Sequence, residues 1–229
     1  MMLKTIFFDL DDTLLDFSRA EAEALRRAFR RFDIDPAPDV LERYHVINRE
    51  QWELLEEGVL TRARVLTRRF DLLFEELGVR RSSQEVCDCY ESLLAEGHWF
   101  VPGAPELLAE LAPWYDLYLA SNGAAAVQWS RLNSAGIGPY FKNIFISEEL
   151  GADKPSPAFF AAAFAAVPDF DPASALMVGD SLTSDIRGGR NAGIRTCWFN
   201  PQGKPARPDI APDHTIRALS ELPDLLNTL

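Results

Sequence analysis

With 229 residues, 47% of them hydrophobic, the chain can bury one large core or two modest ones, and its composition is not that of a disordered protein. A net charge of −12 excludes a general nucleic-acid-binding surface, which needs clustered Lys and Arg, but admits a nucleotide-sized anion that answers to local charge in a pocket. No apolar stretch is long enough to span a bilayer. Met1-Met2-Leu3-Lys4 leads into the first apolar segment without the cleavage site of a secretory signal, so a soluble, cytoplasmic protein without membrane contact is expected.

In chain order, the first element is the apolar run Ile6-Phe7-Phe8, which reads as a short buried strand that stops on a carboxylate in Asp9-Leu10-Asp11-Asp12-Thr13. If the backbone stays extended through Leu10, Asp9 and Asp11 project to the same side, and two like charges so placed call for a proton or a hard cation such as Mg²⁺ between them. Helical spacing then runs over about 18–32, 38–57, 61–77 and 82–98, with Ser82-Ser83 before Glu85 as a cap. These four helices separate the first strand from the second, at 117–120, by far more than a parallel crossover needs, which marks an inserted helical domain. The expected division is 1–16 with 100–229 for the main domain and 17–99 for the insert.

A crossover helix is expected at 105–111. Further strands fall at 144–146, 176–178 and 196–199, alternating with helices near 124–135, 157–166, 185–192 and 216–226. That rhythm predicts an α/β fold: a Rossmann-like parallel sheet covered on both faces, with the helical insert as a second domain. The Pro-rich segment 201–212 reads as a surface connection. Cys87, Cys89 and Cys197 do not make a disulfide framework. Cys87 and Cys89 diverge around a helix, so no metal site is expected there, and His45, His98 and His214 are too scattered to suggest catalysis.

In open α/β sheets, ligands bind beyond the carboxyl ends of the strands. Those ends carry Asp9 and Asp11, then Ser121-Asn122-Gly123, then Lys154, then Asp180. Each is a residue type that handles phosphate or metal. Ser121 can donate its hydroxyl to a phosphoryl oxygen, Gly123 lets backbone approach an anion at the start of a helix, Lys154 supplies a point charge, and Asp180 adds a carboxylate. Asp185 could instead cap a helix.

Taken together these segments resemble the haloacid dehalogenase-like (HAD) hydrolases over essentially the whole chain. Asp9-Leu10-Asp11-Asp12-Thr13 is similar to their first motif, Ser121 to the second, Lys154 within Gly151-Ala152-Asp153-Lys154-Pro155 to the third, and Gly179-Asp180 through Asp185 to the fourth. The position after Asp11 is commonly Gly in the family and is Asp12 here. The resemblance implies that Asp9 is a nucleophile and Asp11 a general acid/base. It also implies Mg²⁺ held by the Asp9 carboxylate, the Asp11 backbone carbonyl and Asp180, with Asp185 as a supporting or alternative metal-site residue.

The insert resembles a type C1 cap. Asn48-Arg49-Glu50-Gln51-Trp52, Gly58-Val59-Leu60-Thr61, Arg69-Phe70, Ile146-Ser147-Glu148-Glu149 and Asn191-Ala192-Gly193 with Thr196-Cys197-Trp198 are similar to the YjjG/YfnB group of pyrimidine 5′-nucleotidases. Ala124 stands where that group tends to have an aromatic residue.

The resemblance implies phosphate-ester hydrolysis through an aspartyl-phosphate. The partner would be a small phosphorylated metabolite such as a nucleoside monophosphate, bound by Ser121, Asn122, Gly123 and Lys154. The cap is expected to close over it, with Asn48 and Trp52 near the entrance, although Trp52 could equally pack the helical core. A phosphatase or phosphomutase for a small sugar phosphate or phosphoglycolate is an alternative with the same chemistry. Asp11 with Asp180 argues against a metal-free dehalogenase, and the long insert argues against a phosphoacceptor signalling domain.

Overall fold

A computed structural model describes residues 3–229; Met1 and Met2, on which the reading of the chain's start partly rests, lie outside the described residues. In chain order the elements are β1 (Thr5–Phe8), α1 (Phe17–Arg31), α2 (Pro38–Glu56), α3 (Arg62–Leu77), α4 (Ser83–Leu94), α5 (Ala104–Leu111), β2 (Asp116–Ser121), α6 (Ala125–Ala135), β3 (Asn143–Ile146), α7 (Ser147–Leu150), α8 (Pro157–Ala165), β4 (Ala175–Gly179), α9 (Arg187–Asn191), β5 (Arg195–Phe199), β6 (His214–Ile216) and α10 (Leu222–Leu226). They form two compact units, one made of the residues up to Asp16 together with His98–Leu229, the other of Phe17–Gly97. Among the described residues no helix is long and apolar enough to cross a membrane.

The first unit is a parallel sheet of order β3-β2-β1-β4-β5-β6. β1 lies inside it, and all four of its residues are buried, which is why its sequence is a continuous apolar run rather than an alternation. Successive side chains still point to opposite faces. Ile6 and Phe8 join Leu119, Val178, Leu107 and Leu132 on one side, and Phe7 joins Tyr118, Met177, Phe159 and Phe160 on the other. The register sets Phe8 beside Leu119 of β2 and Val178 of β4, so the ends of the three strands lie side by side.

Residues 216–226 and 82–98 depart from the sequence pattern. Residues 216–226 read as one helix, but Ile216 closes the edge strand β6, and the chain then makes a 3₁₀ turn at Leu219–Glu221 before α10. Three residues are too few to show a strand's period, and Ile216 and Leu219 are buried in the same apolar cluster, which imitates a helical stripe. The segment 82–98 is helical only to Leu94. Its expected cap is present, with Ser82 Oγ accepting from the Glu85 amide at 3.3 Å. The Pro-rich connection is largely exposed, but Ile210 is buried against Ile186 and Trp198.

The second unit packs α1–α4 around an aromatic centre in which the Tyr44–Phe70, Phe70–Tyr90 and Tyr44–Tyr90 ring centroids are 4.9, 5.7 and 5.8 Å apart. Arg69 is buried beside it, its guanidinium over the Phe70 and Tyr90 rings, and donates to Glu91 at 3.1 Å.

Phe7 is the hub of the second sheet face, with Tyr118 and Phe164 ring centroids 5.4 and 5.6 Å away. Phe7→Ala should lower folding stability by about 3–5 kcal/mol, a loss read from the midpoint of urea unfolding at unchanged slope.

Candidate active site

The site begins where β1 leaves the core. The Asp9 amide continues the ladder by donating to Val178 at 2.9 Å, and the side chain of this buried residue meets the Lys154 ammonium at 2.8 Å. Lys154 Nζ also donates to Asp185 Oδ1 and to the Ala120 carbonyl, both at 2.6 Å, so its three protons have three acceptors. It is 1% exposed, a fixed internal cation rather than a solvated loop lysine. Asn122 holds the backbone of Lys154 through both ends of its amide: Nδ2 donates to the Lys154 carbonyl and Oδ1 accepts from the Lys154 amide, each at 2.8 Å.

After β4 the chain forms a π-helical turn over Leu182–Ile186 ahead of α9, where the sequence suggests an ordinary helix starting at Asp185. The turn brings Asp185 back under the strand end, where Oδ2 accepts from the Ser181 amide at 3.1 Å. A Cβ at Gly179 would lie 2.1 Å from that oxygen, so only glycine fits beneath it. Asp180 is pinned on its backbone: its amide donates to Thr13 Oγ1 at 3.1 Å and its carbonyl accepts from Trp198 Nε1 at 2.8 Å.

Asp9, Asp180 and Asp185 each present an oxygen such that the three lie within 4.8 Å of one another. Burial, followed by the charges of Asp185 and Asp11, outweighs Lys154 and raises the Asp9 pKa to about 8. Burial likewise pushes Asp180 well above the usual carboxylate range, with Asp12, Asp9 and Asp185 adding to it. Burial disfavours the Lys154 ammonium, yet Asp185 and Asp9 more than offset it and hold its pKa above the ordinary lysine value. When all three carboxyls are ionised, one ammonium leaves negative charge uncompensated. The donors are all oxygen, and this set fits a hard divalent cation.

The Asp11 carboxylate is held from another direction. Arg131 of α6 pairs with its Oδ1, and Gln128 Nε2 donates to its Oδ2 at 2.7 Å. Gln128 Nε2 also donates to Ser121 Oγ at 2.8 Å, and its Oε1 accepts from Arg131 at 3.0 Å. Gly123 sits where a Cβ would lie 2.2 Å from the Gln128 amide. Asp12, in the place commonly taken by Gly, has φ of +53°, a left-handed conformation that Asp tolerates better than most residues.

The structure therefore gathers Asp9, Lys154, Asp180 and Asp185, and sets Asp11, Ser121 and Gly123 against α6. The sequence motifs include Thr13 and Trp198 without giving either a role, and they do not reach Gln128 or Arg131, for which the one signal is the three-residue spacing that puts both on one face of α6. Asn48 lies in the helical unit, buried, donating to Glu21 at 2.7 Å and accepting from Arg69 at 3.0 Å. Trp52, half-buried in the same unit, has the Arg62 guanidinium 5.4 Å from its ring centre.

The model for haloacid dehalogenase-like hydrolases matches residues 3–193. The chain belongs to that family. It is 42% identical to the HAD-hydrolase YfnB of Bacillus subtilis, covering 98% of this chain and 95% of that one. It is 35% identical to the pyrimidine 5′-nucleotidase PynA of Streptococcus pneumoniae, over 99% and 96% of the two chains. It is 33% identical to the pyrimidine 5′-nucleotidase YjjG of Escherichia coli, over 96% of each. The crystal structure of YfnB bound to magnesium matches with a TM-score of 0.95 at 41% identity, covering 99% of this chain and all of that one. In this HAD hydrolase the sheet order and the four strand-end groups thus occur together.

Asp9 holds its proton more tightly when folded than at its ordinary value of 3.8, so its contribution to stability is complete below about 4 and is lost as pH rises through about 8. Without divalent cations, calorimetry should show the melting temperature falling from pH 5 to pH 8. Asp9→Asn should flatten that fall, leaving the remainder to Asp180.

Proposed function

We propose that the chain is a Mg²⁺-dependent phosphatase that hydrolyses a nucleoside 5′-monophosphate, a pyrimidine nucleotide by its likeness to PynA and YjjG, through a phosphoryl group carried on Asp9. A phosphoric monoester hydrolase of this kind needs a buried nucleophile, a cation facing the phosphoryl oxygens, and an acid/base apart from the nucleophile. The observation that carries the reading is the Lys154 ammonium bridging Asp9 and Asp185 at the strand ends, with Asp180 within reach.

The Asp9 carboxylate attacks phosphorus and the ester oxygen departs. Asp11 gives that oxygen its proton and later takes one from the water that hydrolyses the acyl phosphate, so one carboxyl serves as acid and then as base. Ser121 and Lys154 face the phosphoryl oxygens. Asp9 and Asp180, with the Asp11 backbone carbonyl, would hold Mg²⁺, which supplies positive charge against the phosphoryl group when bound. Both side-chain oxygens of Asp185 are engaged, by Lys154 and by the Ser181 amide, which supports a role in holding Lys154 beside the metal ligands.

A phosphate-release screen over nucleoside monophosphates and sugar phosphates tests this reading. Turnover should need Mg²⁺, stop with EDTA and return on adding Mg²⁺. Asp9→Asn should fall to background, and Asp180→Asn should raise the Mg²⁺ requirement about 10-fold or more. Undiminished turnover in EDTA, or in Asp9→Asn, would overturn it.

A further inference from the structure

We propose that Gln128 and Arg131 of α6 are positioning residues for the reaction, Arg131 and Gln128 together orienting the Asp11 carboxyl toward the leaving group, and Gln128 with the Gly123 amide turning the Ser121 hydroxyl into an obligate donor. The proposal rests on the phosphatase reading and names residues outside the four strand-end groups.

Arg131 is wholly buried, and a buried guanidinium is retained only where it is paired. Its Nη1 is directed to Asp11 Oδ1 and to Gln128 Oε1. The second contact fixes which way the Gln128 amide lies, since the oxygen must face the guanidinium and the nitrogen must face away from it. The nitrogen's two protons then go to Asp11 Oδ2 and Ser121 Oγ. Each Asp11 oxygen is therefore met from α6 on one lone pair, which blocks rotation of the carboxyl about its own axis and leaves a second lone pair to carry the proton that is delivered.

The same amide decides what Ser121 can do. Ser121 Oγ accepts from Gln128 at 2.8 Å and from the Gly123 amide at 3.1 Å, which uses both of its lone pairs. Its own proton is left to be given outward, as a ligand with phosphoryl oxygens requires. Ser121 itself is 1% exposed, so water cannot supply the alternative orientation freely. Gly123 belongs to the same device, because any side chain there would displace the amide of Gln128.

The two roles have separable kinetic signatures. Proton delivery matters for an alkoxide leaving group and little for p-nitrophenolate, which departs without a proton, whereas phosphate binding by Ser121 matters for both. The quantity kcat/KM reports the first chemical step, in which the leaving group departs. With Mg²⁺ present, Arg131→Met should lower the ratio of kcat/KM for a nucleoside 5′-monophosphate to that for p-nitrophenyl phosphate by about 10-fold or more, a part of the 10²–10⁴ that general acid catalysis supplies. Arg131→Lys, which keeps the charge, should restore part of it.

Gln128→Leu, of similar volume, should lower both values and the ratio as well. With p-nitrophenyl phosphate, where the Asp11 role drops out, combining it with Ser121→Ala should cost little more than the worse single change, because Gln128 and Ser121 then act as a unit. Thermal unfolding verifies that each variant is folded, and if Arg131→Met is not, Gln128→Leu and the double variant decide the matter. Ratios equal to wild type in the folded variants, or additive losses in the double variant, overturn the positioning roles while leaving the phosphatase reading intact. Wild-type protein inert toward both substrates overturns that reading and this one with it.

Discussion

The Lys154 ammonium is the interaction on which the site depends. Two carboxylates, Asp9 and Asp185, and one carbonyl, Ala120, converge on it from three different segments, all inside the protein. Removing such a cation would leave buried acids facing each other without compensation, a cost typically of about 3–5 kcal/mol for a broken buried pair. Its position is held in turn by the Asn122 amide, which spans the loop after β2 and the loop after α7. Burial, and after it the neighbouring carboxylates, raise the pKa values of Asp9 and Asp180. A pocket with surplus negative charge and only oxygen donors is built to take a further cation.

Close approach is achieved with glycine and an irregular helix. Gly179 and Gly123 stand where a methyl group would strike Asp185 and Gln128 respectively. The π-helical turn at Leu182–Ile186 inserts the extra residue that carries Asp185 back to the strand end. Hydrogen bonds from the Asp180 amide to Thr13 Oγ1 and from Trp198 Nε1 to the Asp180 carbonyl fix Asp180 between them. The chemistry-bearing side chains are thus held by neighbours that have their own partners, which keeps their geometry within narrow limits.

The helical unit follows a related principle with different materials. Its centre is aromatic, yet it contains a chain of polar groups running from Glu21 through Asn48 and Arg69, all buried, to the partly exposed Glu91. Such a chain adds little net stability over an apolar core, but each member accepts one geometry, so it favours a single packing of the four helices.

Much was determined by the sequence alone. The apolar run before Asp9, the βα rhythm after residue 117, the long helical interval and the polar residues at four strand ends all follow from local periodicity, which one segment can carry by itself. Other features belong to the tertiary structure. Strand β6 is too short to show a period, and Ile216 joins the sheet only because β5 presents an open edge. Lys154 becomes an internal cation, and Gln128 and Arg131 become partners of Asp11, only when segments some 30 to 120 residues apart are brought together. No local pattern can state which charge meets which, because that is decided by the register of parallel strands and by the depth of burial that follows from it.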